Sequence, residues 1–190
     1  MIELIHSNKK LLYHVCVALM AALCFAGTFI NIPIPVAVGN TMIHLGNTLC
    51  LLAALLLGGS GGGLSGGIGM ALFDLSSAAF AAYAPFTFVQ KFLAGFVCGK
   101  IAFMRGKNGG APLYNFLGAA AGGIVNVVFA QINAVIVEYL ILGSALGAVL
   151  TANIARLGIS LINMGIAVTA SLLIAVPIRF SLKKLNMLDF

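Results

Sequence analysis

The chain has 190 residues, of which 62% are hydrophobic and only 7% are charged, and its mean hydropathy is +1.14. Soluble domains carry about 25% charged residues, so this composition excludes a soluble globule, and its apolar content excludes a disordered chain. A helical membrane protein remains, with no room for a large nucleotide-hydrolysing or catalytic domain. The formal charge of +6 is better explained by basic cytoplasmic loops than by nucleic-acid binding.

The apolar segments predict an all-α protein with six transmembrane helices in a single membrane domain, residues 1–190. In chain order the predicted spans are residues 11–30, 44–57, 62–82, 86–103, 113–140 and 152–178. Pro33 and Pro35 interrupt the chain after the first span, and a glycine cluster follows the second. A spanning helix takes about 20 apolar residues, so the short second span is expected to begin within the preceding segment.

Basic residues predict the orientation of these spans. Six spans place both termini on one side, together with three basic groups: Lys9 and Lys10, then Lys100, Arg105 and Lys107, and finally Arg179, Lys183 and Lys184. The positive-inside rule makes this side cytoplasmic. The connections at residues 31–43, at 82–85 and around Gly143 then face outward, whereas a five-span chain would place the last basic group outside.

Four ionisable residues lie inside predicted spans, namely Asp74, Lys91, Glu138 and Arg156. Ionisable groups are costly in a bilayer and therefore face the interior of a bundle or a cavity. Two explanations stay open, because the two positive and two negative groups can pair with one another or can form a substrate site. The predicted topology places all four in the outer half of the membrane, which favours the substrate site.

Polar residues at helical spacing extend this cluster, since His44 and Asn47 share one helix face, as do Thr87 and Lys91. We therefore predict an outer pocket, covered by the segment 31–40, whose lining residues are Asn40, His44, Asn47, Asp74, Tyr83, Thr87, Lys91, Glu138 and Arg156. Hydrogen bonding between helices is the alternative role for such polar residues, and it is the preferred one for Asn126, Ser160 and Asn163. The sequence contains no recognisable catalytic or metal-binding constellation, so neither an enzyme nor a cofactor or metal is predicted.

Small residues indicate where helices approach closely. The glycines of residues 58–67 include a G-x-G-x-x-G pattern, but the βαβ context of a nucleotide site is missing, and helix packing is the preferred interpretation. Ala18, Ala22 and Ala26 lie on one face of the first span. Such a face allows tight packing within the protein or against another membrane subunit.

Several motifs resemble the substrate-binding S components of energy-coupling factor (ECF) transporters, in the branch described as riboflavin-type or uncharacterised. They are His44-Leu45-Gly46-Asn47, the glycine-rich run that ends at Asp74, and Tyr83-Ala84-Pro85-Phe86-Thr87 with Lys91 four residues later. Asn47 stands where the family often has Asp. The resemblance covers the first four predicted spans and, more weakly, the sixth.

The resemblance implies a multi-pass protein of a prokaryotic plasma membrane that captures a vitamin or related micronutrient at an outward-facing site. It also implies partners, namely a transmembrane T component and two cytoplasmic ATPases, with Ala18, Ala22 and Ala26 as the docking surface. The substrate stays open between riboflavin, a vitamin B6-like compound and a thiamin pyrimidine precursor. The scarcity of aromatic residues near the site and the absence of Trp favour the last two. A stand-alone facilitator and a structural membrane subunit are the alternatives.

Overall fold

The computed structural model describes residues 2–184, and side chains for residues 9–182 and 184, so the side chain of Lys183 lies outside the described part. Within this described range, five helical segments are long and apolar enough to cross a membrane. The helices are α1 (Ile2–Phe29), α2 (Gly46–Ser76), α3 (Ala84–Ala102), α4 (Pro112–Ala134) and α5 (Leu146–Lys184). A π-helical segment, Val135–Ile141, continues α4.

Helix α2 consists of two legs that meet at a sharp break. Gly58 has a φ of 79° and a ψ of −175°, a left-handed conformation that glycine adopts without steric cost. A Cβ added to Gly66 would lie 3.0 Å from the Cβ of Cys50, although residues 16 positions apart in a straight helix are separated by about 24 Å. The chain therefore reverses at Gly58, and the two legs, residues 46–57 and 59–76, pack side by side.

This break corrects the predicted position of the second connection. The glycine cluster was expected to form a turn up to about residue 62, but the helix resumes directly after Gly58. The remaining glycines instead bring helices together, because a Cβ on Gly95 of α3 would lie 2.7 Å from the carbonyl oxygen of Gly62. The prediction that these glycines serve helix packing is confirmed.

The segment between α1 and α2, predicted as a loop, is a β-hairpin. Strand β1 (Asn31–Pro35) pairs antiparallel with β2 (Asn40–His44), so that Pro33 lies opposite Met42 and Pro35 opposite Asn40. Proline is tolerated here because each strand of a two-stranded sheet has a free edge that needs no backbone donor. The all-α prediction therefore holds for the membrane-spanning segments but not for this short sheet.

Helix α5 also begins earlier than predicted, at Leu146 rather than near residue 152. Gly143, with a φ of 70°, ends the preceding segment, while Gly147 is helical and does not interrupt α5. Pro177 lies inside α5 without ending it. The single-domain organisation stays a prediction.

The bundle has two ends of different character. We call the end that carries residues 31–44 the hairpin end and the opposite end the Gly58 end. At the Gly58 end, Phe103 lies against Gly58, and Arg179 donates from Nη1 to the backbone oxygen of Leu55 at 2.5 Å. Basic residues outside the bundle core flank this end: Lys9, Lys10, Lys100, Arg105, Lys107 and Arg179. Lys91 and Arg156 lie on the other side of the packed core.

Candidate substrate-binding cavity

A polar cavity lies beneath the hairpin, in a bundle that is otherwise mainly apolar. It encloses about 850 Å³, its open mouth included. Strand β2 contributes Asn40, Thr41, Met42 and His44, the segment before α3 contributes Phe80 and Tyr83, and α1, both legs of α2, α3, α4 and α5 supply the rest of the lining. Polar side chains from several helices thus converge on one space that opens at the hairpin end.

A closed hydrogen-bond network forms the floor of the cavity. The ammonium group of Lys91 donates to Asn47 Oδ1 at 2.8 Å and to Asn126 Oδ1 at 2.5 Å. Gln90 Nε2 donates to the same Asn126 oxygen at 2.9 Å, and Gln90 Oε1 accepts from Asn133 Nδ2 at 2.8 Å. Lys91 is only 6% exposed, so these amide oxygens replace the water that its charge has lost.

An ion pair closes the cavity at the hairpin end. Glu138 is fully buried in the π-helical segment and accepts from Arg156 of α5, with Nη2 to Oε1 at 2.5 Å and Nη1 to Oε2 at 2.9 Å. The Tyr83 hydroxyl donates to Glu138 Oε1 at 2.5 Å, and Arg156 Nη2 also donates to the backbone oxygen of Val38 in the hairpin turn. The pair therefore joins α5, the end of α4 and the start of α3 to the hairpin.

The turn of the hairpin fits closely over this ion pair. Gly39 has a φ of 68°, and a Cβ built on it would overlap Glu138 Oε1. Asn163 Nδ2 donates to the backbone oxygen of Met42 at 3.4 Å, which gives the hairpin a second attachment to α5. The hairpin thus covers the cavity through contacts that side chains of the bundle make with its backbone.

The four intramembrane ionisable groups form one direct pair rather than two. Arg156 and Glu138 are in contact, whereas Asp74 interacts with the Thr87 hydroxyl, and Lys91 is held by amide oxygens. Among the described side chains, Asp74 and Lys91 make no salt bridge within 4.0 Å. Mutual pairing therefore explains only half of the predicted cluster, and both Asp74 and Lys91 line the cavity.

His44 was predicted to share a helix face with Asn47, but it ends strand β2, because the helix begins only at Gly46; His44 therefore lies outside the membrane-spanning helices. Its Nδ1 is buried and has no hydrogen-bond partner among the described residues. Loss of hydration and, to a lesser extent, the positive charge of Lys91 together lower the pKa of His44 to about 3. The imidazole is therefore neutral at physiological pH, with one nitrogen as donor and the other as acceptor.

The structure places eight of the nine predicted site residues on this cavity. They are Asn40, His44, Asn47, Asp74, Tyr83, Thr87, Lys91 and Arg156, while Glu138 lies behind Arg156 and does not line it. Whether they contact a substrate stays a prediction. The structure adds lining residues that the sequence did not assign to the site, notably Gln90, Gln131 and Asn133, as well as Asn126 and Asn163, which were assigned to helix packing.

The sequence contains a spacing pattern that includes two of these additional lining residues, but the pattern has two interpretations. Asn126 and Asn133 are seven residues apart, so they share one face of α4. Such spacing is equally typical of interhelical hydrogen bonds. In the structure Asn126 has both functions, because it bonds Lys91 and Gln90 and also faces the cavity.

The predicted docking residues lie on the outer surface of the bundle. Ala18, Ala22 and Ala26 are exposed on α1, whereas Val17, Ala21 and Cys24 of the same helix are buried against the bundle. A partner helix can therefore reach the three alanines, and their function in docking stays a prediction.

Comparison with known proteins identifies the family of this multi-pass membrane protein. A family model described as "ECF-type riboflavin transporter, S component" matches residues 8–183. No curated protein and no solved structure matches significantly. The family is one of transporter substrate-binding components rather than enzymes, and its match covers nearly all of the residues that form the cavity, the hairpin and the bundle. The chain belongs to the ECF-type riboflavin transporter S component family.

Proposed function

We propose that this protein captures a vitamin in the cavity beneath the hairpin and delivers it through a T component and two ATPases of an ECF-type importer. The observation that carries the proposal is the covered polar cavity itself. Lys91, Asp74 and Arg156 are each at most 6% exposed, yet all three line one space in an apolar bundle. Buried ionisable groups are expensive in a membrane protein and mark substrate sites when they collect in a cavity.

The proposed topology has six passes, with the two legs of α2 counted separately. The reversal at Gly58 supports this number, since it returns the chain to the hairpin end before α3 begins. The basic residues at the Gly58 end support a cytoplasmic position for that end and for both termini. The cavity then faces outward in a single membrane domain of the prokaryotic plasma membrane.

The packing below the cavity supports capture rather than passive diffusion. Under the Lys91 network lie mainly apolar residues such as Leu51 and Ala94, and beyond them are fully buried side chains that include Leu55, Cys98 and Ala119. A stand-alone facilitator needs a polar path through this region. If the whole subunit instead moves on its partners to deliver the substrate, no polar path through this region is needed.

The proposed substrate is a small, nearly neutral heteroaromatic vitamin. The charges around the cavity balance, because Lys91 and Arg156 are matched by Asp74 and Glu138. Amide side chains are the commonest polar type in its described lining, and the aromatic rings there are those of Phe80, Tyr83 and His44. Riboflavin, a thiamin pyrimidine precursor and a vitamin B6-like compound all satisfy this description.

Native mass spectrometry of the full chain, purified in mild detergent, tests this function. We expect one co-purified or added vitamin to bind with a one-to-one stoichiometry and to raise the thermal midpoint of unfolding. Liposomes that contain this chain alone should bind the vitamin but not accumulate it. Accumulation without partners would instead identify a facilitator, and the absence of binding by all three vitamins would contradict the proposal.

A further inference from the structure

The polar side chains of the cavity fall into two groups, those that satisfy one another and those that lack a partner. Gln90, Asn126 and Asn133 belong to the closed network with Lys91. By contrast, Gln131 Nε2 and Gln131 Oε1 are both buried and have no hydrogen-bond partner among the described residues. Gln131 thus differs from Gln90, which is also a cavity-lining glutamine.

An unsatisfied buried polar atom costs about 1–3 kcal/mol, so a native protein retains one only where another partner compensates. The backbone around Gln131 is fixed, because its carbonyl oxygen accepts from Asn153 Nδ2 at 3.2 Å. The position of the side chain at the cavity wall is therefore set by α4 and α5 together. Gln131 lines the cavity, so a ligand bound there is the candidate partner for its amide once the side chain turns toward it.

A free carboxamide presents one donor and one acceptor side by side. It is matched by a ligand edge with an acceptor beside a donor, such as the carbonyl and N–H of a cyclic imide or the ring nitrogen and amino group of an aminopyrimidine. Resting on the function proposed above, we propose that Gln131 is a specificity-determining residue that binds such an edge of the substrate. This deepens the proposed function, since riboflavin and the thiamin pyrimidine precursor carry the edge and pyridoxine does not.

Two further unpaired atoms lie on the same cavity and fit the same proposal. Asn163 Oδ1 and His44 Nδ1 have no partner among the described residues, although Asn163 already uses its Nδ2 on the hairpin. Each of them offers a single additional contact. Of these three residues, Gln131 alone has both amide atoms unpaired, so it carries the recognition of a paired donor and acceptor.

The test compares ligands with an intact and a blocked edge on the full chain in detergent. Riboflavin is paired with riboflavin methylated on the imide nitrogen, and the aminopyrimidine precursor of thiamin with its dimethylamino derivative, while pyridoxine serves as a ligand without the edge. Dissociation constants are measured by calorimetry for the wild type and for Gln131→Met. We expect the wild type to prefer one intact ligand over its blocked form by about 10- to 100-fold, as the loss of two hydrogen bonds predicts.

Gln131→Met should abolish this preference, so that the intact and blocked ligands bind with equal, weaker affinity. The ligand-free variant should unfold at the same temperature as the wild type or higher, because it removes an unpaired buried amide. Asn115→Leu is the control, because Asn115 is a buried amide outside the cavity whose Nδ2 donates to the backbone oxygen of Gly109 at 2.8 Å; it should lower the thermal midpoint while keeping the preference for the intact ligand.

The outcomes separate this proposal from the function on which it rests. A Gln131→Met variant that keeps the preference, or that loses stability as Asn115→Leu does, would overturn the role of Gln131. Binding of pyridoxine alone would also overturn it but leave the vitamin-capture function in place. Failure of all three vitamins to bind the wild type would refute both.

Discussion

The two ends of the bundle differ in how closely the same helices pack and in the polarity of the side chains between them. At the Gly58 end, glycines let backbones touch, and the core consists of small apolar residues such as Ala53, Ala54 and Ala102 with no exposed surface. At the hairpin end, the helices surround a cavity that buried amide and charged groups line. The difference shows that the helices pack closely through small residues at one end and leave space for a polar site at the other.

The largest effect is expected from breaking the ion pair that closes the hairpin end. Glu138→Ala leaves the Arg156 guanidinium buried without a carboxylate, which costs about 3–5 kcal/mol of folding free energy. Thermal unfolding in detergent measures the loss. The double variant Glu138→Ala/Arg156→Leu should recover much of the stability, and a double variant as unstable as the single one would contradict the assigned role of the pair.

The next effect concerns ligand binding at the floor of the cavity. Lys91→Ala should weaken vitamin binding by about 10- to 100-fold, because a hydrogen bond to a charged group contributes about 1.5–3 kcal/mol. Asn47 Oδ1 also loses its donor, while Asn126 Oδ1 keeps that of Gln90. The variant should remain monodisperse. Lys100→Ala, at the Gly58 end, is the matched control with unchanged affinity, and wild-type affinity in Lys91→Ala would remove Lys91 from the site.

A smaller effect is expected where the helices touch at the other end. Gly95→Ala places a Cβ 2.7 Å from the backbone of Gly62 and should cost about 1–3 kcal/mol of stability, with vitamin affinity reduced far less. Gly158→Ala is the control, since nothing lies within 4 Å of its Cβ and alanine favours a helix by about 1 kcal/mol. Equal thermal midpoints of the two variants would refute the close packing at Gly95.

The smallest effect is expected from protonation of His44. Because burial lowers the pKa of His44 to about 3, the imidazole stays neutral from pH 8 down to pH 5.5. The ratio of the vitamin affinities of the wild type and His44→Asn should therefore be the same at both pH values, within about twofold. A ratio that changes markedly near pH 6.5, the usual pKa of histidine, would show that His44 titrates in the folded protein.

His44 also affects stability with a definite sign. Its folded-state pKa lies below its unfolded-state pKa, so the unfolded chain binds the extra proton as the pH falls. The stability that depends on neutral His44 is complete above pH 6.5 and decreases as the pH falls from there toward 3. This loss should be absent in His44→Asn.

Much of the site could be predicted because charge is so rare in this sequence. Asp74, Lys91 and Arg156 stood out as intramembrane ionisable residues, and helical spacing added Asn47 and Thr87. The neutral residues were harder to assign. Gln90 and Gln131 have the same side chain and both line the cavity, yet one is satisfied internally and the other is not. Hydrogen-bond partners from other helices decide that difference, and one sequence does not reveal them.

The sequence by itself determined that this is a membrane protein, because composition alone excludes a soluble chain. It also determined that the basic residues form groups and that the polar residues collect toward one end of the predicted helices, since both follow from positions along the chain and short-range periodicity. Only the tertiary structure decided that Gly58 reverses α2, that the proline-containing segment is a hairpin, and that Glu138 pairs with Arg156 while Lys91 is held by Asn47 and Asn126. These features depend on contacts between residues far apart in the chain. The free energy of each arrangement depends on which buried donors and acceptors find a hydrogen-bond partner when the helices pack.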